Sequence, residues 1–187
     1  MPSICVYCSS SNAIADTYSP VATTLGRALP DRGHELVYGG ATVGLMGLVA
    51  EATHEAGGTV MGVIPKSLEA REGIAYDADE LIVTDTVRER KRIMYRRSDA
   101  FVVLPGGYGT VEELMEVLSL KELGDHDRPI VLVNVDGFFD TLLSFFDELW
   151  EGRFARTVVT DLVHVVPSAE AALDRIERVI VQDGRSS

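Results

Sequence analysis

Ala100-Phe101-Val102-Val103-Leu104-Pro105-Gly106-Gly107-Tyr108-Gly109-Thr110-Val111-Glu112-Glu113-Leu114-Met115-Glu116-Val117-Leu118 is the stretch around which the chain is organised. An apolar run ends at a proline, three glycines follow within four positions, and a helical pattern begins at once. That order is strand, glycine loop, helix N-terminus. Glycines let the backbone turn tightly and approach a ligand, while the first helical turn offers unpaired N–H groups and the positive end of the helix dipole. Two readings stand: a plain strand-to-helix turn in which glycine serves geometry only, or a cradle for phosphate.

Immediately upstream, residues 87–98 carry Arg88, Arg90, Lys91, Arg92, Arg96 and Arg97, six of the 17 basic side chains. A charge run usually marks a solvated helix face. Here it stands in a chain with 29 acidic residues and a formal charge of −12. That balance argues against broad attraction to a nucleic-acid polymer or an anionic membrane, so an anionic ligand must be drawn by a local basic site. This helix is the obvious one, and it leads straight into the strand before Pro105.

Further outward, short apolar strands alternate with helical patterns along all 187 residues. Strands are predicted at 3–8, 35–38, 59–64, 80–84, before Pro105, at 129–135 and at 158–166. Helices are predicted at 18–32, from Gly44 to the Gly57-Gly58 stop, over the basic segment, after the glycine loop, at 138–149 and at 168–181. The expected fold is α/β, with helices on both faces of a doubly wound, mostly parallel sheet of about seven strands. One domain is expected over residues 1–182, followed by a frayed tail at 183–187. In such folds ligands collect at the carboxyl ends of the strands. The polar turn Ser9-Ser10-Ser11-Asn12 and a second glycine loop, Gly39 to Gly47, belong to that end too. The second loop lacks the Gly-x-Gly-x-x-Gly spacing and the Lys-Ser/Thr of a P-loop, which disfavours dinucleotide dehydrogenases and kinase-like NTPases. Residues 66–79 form the longest irregular segment, a common place for function.

Other chemistries find little support. Cys5 and Cys8 have no second pair or nearby His to complete a zinc site, and structural thiols are expected. His34, His54, His126 and His164 lack metal spacing, and no Ser-His-Asp order or Gly-x-Ser-x-Gly elbow occurs. No apolar run reaches the length of a membrane span and no leader is evident, so a cytoplasmic location is expected. Glu113 is the candidate carboxylate. As a structural group it closes the capping box Thr110-Val111-Glu112-Glu113. As a catalytic group it points away from the apolar face of Val111, Leu114, Met115 and Leu118, toward solvent or a cleft at the loop. A cleft with phosphate-binding amides, an arginine helix and a carboxylate suits a phosphorylated sugar whose glycosidic bond is to be broken.

Pro105-Gly106-Gly107-Tyr108-Gly109-Thr110 with Glu113 resembles the Pro-Gly-Gly-x-Gly-Thr-x-x-Glu signature of the Lonely Guy (LOG) proteins, cytokinin riboside 5'-monophosphate phosphoribohydrolases. Arg90-Lys91 with Met94 and Ser98-Asp99-Ala100-Phe101, Tyr38-Gly39-Gly40 with Gly44-Leu45-Met46-Gly47, and Asn134-Val135-Asp136-Gly137-Phe138 are similar to further family segments. The likeness runs along nearly the whole chain. It implies a Rossmann-like homodimer that hydrolyses the N-glycosidic bond of N6-substituted adenosine 5'-monophosphates, and AMP as well, without metal or organic cofactor. By position it makes Arg90 and Glu113 the catalytic pair. Gly106, Gly107, Tyr108, Gly109, Thr110 and Glu112 then bind the ribose phosphate, with Lys91 beside them, Glu72 in the long loop, and Ser119 where the family often has Thr. Ser9, Ala41 and Arg88 depart from the family pattern and leave base preference open. Two alternatives remain open: an AMP nucleosidase of purine salvage, and a nucleotide or molybdenum-cofactor carrier without turnover. The older family label, lysine decarboxylase, finds no Schiff-base lysine setting in this short chain.

Overall fold

The computed structural model describes residues 1–68 and 78–182. Seven strands form one sheet: β1 (Ser3–Tyr7), β2 (Glu35–Tyr38), β3 (Val60–Pro65), β4 (Glu80–Thr84), β5 (Ala100–Val103), β6 (Ile130–Val133) and β7 (His164–Val166). Their order is β4-β3-β2-β1-β5-β6-β7. Every neighbouring pair is parallel, so the mostly parallel sheet expected from the sequence is parallel throughout. The central strands are apolar on both faces because both faces are covered.

The helices divide between those faces. Ile4, Val6 and Cys8 of β1 and its end point toward α1 (Ala15–Asp31), α2 (Gly44–Glu55) and α7 (Ala169–Gln182). Cys5 and Tyr7 point the other way, toward α3 (Val87–Arg96), α4 (Tyr108–Glu122), α5 (Asp140–Glu151) and α6 (Val159–Leu162). This is the period-two alternation of a strand. On the first face, a Cβ at Gly26 would lie 2.5 Å from the Val49 carbonyl oxygen, so α1 and α2 pack closely only because Gly26 has none.

The run 158–166 is not one strand. Val159, Leu162 and Val163 are buried at helical spacing, and Thr160 and Asp161 break the strand alternation. The chain therefore makes the turn of α6 before the three-residue edge strand β7. The frayed tail expected at 183–187 lies outside the described residues. Among the described residues, no helix is long and apolar enough to cross a membrane.

Candidate active site

The sheet order reverses between β1 and β5, the two strands from which it grows in opposite directions. The helix after β1 covers one face and the helix after β5 the other, which opens a crevice at their carboxyl ends. The ladder continues just past both strands: the Leu104 amide donates to Tyr7 O at 2.9 Å and the Ser9 amide to Pro105 O at 3.2 Å. The serine turn and the glycine loop are thereby tied edge to edge. A cleft of about 320 Å³ lies there, lined by Cys8, Ser9, Ser10, Ser11, Met46, Leu68, Arg90, Gly107, Tyr108, Gly109, Thr110 and Glu113.

The glycine loop runs directly into α4, whose N-cap is Gly107 in extended conformation with no side-chain cap. Thr110 is therefore inside the first turn, and the capping box expected over Thr110 and Glu113 does not form. The helix starts earlier than a Thr cap allows, because Gly107 adopts the cap conformation itself. Thr110 is buried instead. A Cβ on Gly106 would sit 2.1 Å from Thr110 Oγ1, so Gly106 makes room for that side chain. Gly107 and Gly109 are different: a Cβ on either meets nothing within 4 Å. Internal packing does not require glycine there, and both face the cleft beside first-turn amides that have no acceptor within the helix.

After the second glycine loop, the first-turn amides of α2 are already taken. Gly44 N donates to Asn12 Oδ1 at 2.8 Å, and Leu45 N and Met46 N donate to Ser9 O at 2.9 and 3.3 Å. Gly44, at φ +60°, lies against the backbone of Ser9 to Ser11, and Gly47 against that of Thr42. A hollow of about 390 Å³ borders this loop, but neither Arg90 nor Glu113 lines it.

Helix α3 sorts the basic run residue by residue. Thr86 caps it, its side chain accepting from the Glu89 amide at 3.1 Å. Arg88, Arg92, Arg96 and Arg97 are exposed, and Arg97 pairs with Glu80 at 2.8 Å. Lys91 is held between Glu112 and Glu116 of α4, 2.6 Å from the latter. Arg90 alone turns inward. It is 8% exposed, its Nε donates to Val63 O at 3.1 Å, and its Nη2 lies 3.5 Å from Glu113 Oε1.

Glu113 is 7% exposed at the wall of the cleft. Burial pushes its carboxyl up to about 7; Arg90 and Lys91 pull against that rise, and Glu112 and Glu116 add to it. The group thus stands near the midpoint of its titration at neutral pH. The neighbouring Cys8 thiol and Tyr7 phenol are pushed well up by burial and stay neutral. Cys5, buried beneath them, is pushed up to about 12.

Of the residues singled out in the sequence, the cleft brings together Arg90, Gly107, Tyr108, Gly109, Thr110 and Glu113. Gly106, Lys91 and Glu112 flank it, the first under Thr110 and the other two paired to each other. Ser119 lies elsewhere, in an apolar groove with Met115, Leu118, Phe146, Leu149 and Phe154. Glu72 lies outside the described residues. Met46, Leu68 and Cys8 line the cleft without having been singled out as site residues. Nothing in an apolar side chain distinguishes a cleft wall from a core, so no local signal marks them.

The family model described as "Possible lysine decarboxylase" matches residues 46–176. Cytokinin riboside 5'-monophosphate phosphoribohydrolase LOG2 of Arabidopsis thaliana is 44% identical over 95% of this chain and 83% of its own length. The probable cytokinin riboside 5'-monophosphate phosphoribohydrolase LOGL2 of Oryza sativa subsp. japonica is 44% identical over 93% of this chain and 71% of its own. Among solved structures, the molybdenum cofactor carrier protein of Chlamydomonas reinhardtii superposes with a TM-score of 0.74 at 27% identity, over 96% of this chain and 98% of that one. The molybdenum cofactor binding protein of Rippkaea orientalis gives 0.71 at 26%, over 96% and 97%. With the signature residues of the glycine loop gathered in one cleft and this identity extending across nearly the whole sequence, the chain belongs to the LOG family.

Proposed function

We infer that the cleft hydrolyses the N-glycosidic bond of N6-substituted adenosine 5'-monophosphates, giving free base and ribose 5-phosphate. The observation that carries this reading is the buried Glu113 carboxylate facing Arg90 at 3.5 Å, one turn from open first-turn amides. The 5'-phosphate sits on the N-terminus of α4, where Gly107 and Gly109 admit it closely. The ribose then lies over Glu113. As the bond from C1' to the base breaks, positive charge develops at the sugar, and a carboxylate in a water-poor wall stabilises it strongly. A water oxygen bonds to C1', and its proton ends on the departing base. Arg90 favours the ionised form of Glu113 against the effect of burial, and contacts the nucleotide. Among the described residues, no lysine lines the cleft, which leaves a Schiff-base decarboxylation without its amine.

The molybdenum-cofactor proteins that share the fold favour a second reading, a carrier that binds and releases its ligand unchanged. The two differ in turnover. Incubation with isopentenyladenosine monophosphate, its nucleoside and AMP should release free base from the monophosphates. Release from AMP alone marks a purine-salvage nucleosidase, and release from none overturns the hydrolase reading. We also place the protein in the cytoplasm as a homodimer, with the second copy on the apolar groove around Phe154, which is 83% exposed.

A further inference from the structure

The second glycine loop follows β2 and leads to Met46, which lines the cleft. Gly39 lies at its start. A Cβ built on Gly39 would stand 2.0 Å from Arg90 Nη2, 3.1 Å from Arg90 Cζ and 2.8 Å from Met46 Sδ. The guanidinium thus occupies the space a side chain at position 39 would need. Its Nε is anchored on the other side by Val63 O at 3.1 Å, and its Nη2 reaches Glu113. The backbone of Gly39 is not in the left-handed region, whereas that of Gly40 is, at φ +79°. Conformation therefore explains glycine at position 40 and not at position 39. At position 39 the crowding side chains do, Arg90 foremost and Met46 beside it.

We propose that Gly39 is a positioning residue: with Val63 O it forms a socket that aims the Arg90 guanidinium at Glu113. Its role in turnover rests on the hydrolase reading; the socket itself does not. The charged groups around Glu113 are Arg90 and Lys91 from α3 and Glu112 and Glu116 from α4, while Tyr7 and Cys8 of the β1 side stay neutral. Displacing Arg90 alone removes the nearest positive charge.

The test is Gly39→Ala, alone and combined with Arg90→Ala. In the wild-type background, Gly39→Ala should lower Tm by about 5 °C, the scale of overpacking in a chain of this size. In the Arg90→Ala background, where only the flexible end of Met46 still crowds the position, the loss should fall to less than half of that. A displacement of order an ångström at a catalytic group should cut kcat about a hundredfold. The acid limb of the kcat/KM profile should move to higher pH, which a merely structural loss would not produce. Equal Tm losses in both backgrounds overturn the socket. An unmoved acid limb overturns the positioning role. If Gly39→Ala alone does not fold, the double variant should; failure of both also overturns the socket. Absence of free base from the wild type would sink the hydrolase reading while leaving the Tm comparison decisive for the socket.

Discussion

Glu113 is a carboxylate held where its charge is costly. Its folded pKa, about 7 against an ordinary 4.5, lies above the unfolded value, so the protonated form is the one folding favours. The associated stability is complete below pH 4.5 and is lost as pH rises through 7. Glu113→Gln stays at the neutral level. Relative to wild type, it should therefore gain up to about 3 kcal/mol of stability between acidic and mildly alkaline pH, read from urea titrations along the pH series. The same substitution should abolish release of free base, because Gln carries no charge to set against the developing cation. Wild-type turnover in the variant would show Glu113 to be dispensable. For the native protein, kcat/KM should rise with pH through about 7 and then level, since only the ionised form works. The 5'-phosphate titrates near pH 6, so a limb at that lower value would point to the substrate instead.

The pattern Thr-x-x-Glu occurs at the start of two neighbouring helices, and only one of them is a cap. At α3, Thr86 Oγ1 accepts from the Glu89 amide, and Glu89 reaches back to the Asp85 amide at 3.2 Å. At α4, Gly107 starts the helix, and Thr110 and Glu113 are buried in its first two turns. Thr86→Ala should cost about 1 kcal/mol and lower Tm by about 3 °C, measured by calorimetry. An unchanged Tm would show the cap to be idle. The strands were legible because apolar runs bounded by Gly, Pro and Ser have few alternatives. The segment 158–166 was not, because Val159, Leu162 and Val163 suit a helical turn as well as a strand, and the edge position of β7 decides. The basic run of α3 was legible as a run only. Which arginine turns inward depends on what the sheet places opposite it.

For the whole molecule, the parallel sheet makes one crevice where the chain direction of winding reverses, and both the signature loop and the serine turn end there. The apolar groove lined by Met115, Leu118 and Phe154 lies apart from it and carries Ser119. Light scattering should give twice the chain mass of 20.3 kDa, and Phe154→Asp should reduce it to the single-chain value. A monomer from the native chain would overturn the homodimer. The sequence alone was enough for the α/β alternation, the glycine loop between strand and helix, and the family, because each rests on local spacing or composition; it also singled out Arg90 and Glu113, which the fold sets 3.5 Å apart. It did not distinguish a capping glutamate from a buried one, tell which arginine of the basic run turns inward, or show that Ser119 lines a groove apart from the cleft. Those depend on which side chains and backbone atoms from distant segments share a volume. That sharing sets desolvation, charge partners and free space, and it exists only once β1, β2, β3, α3 and α4 are packed together.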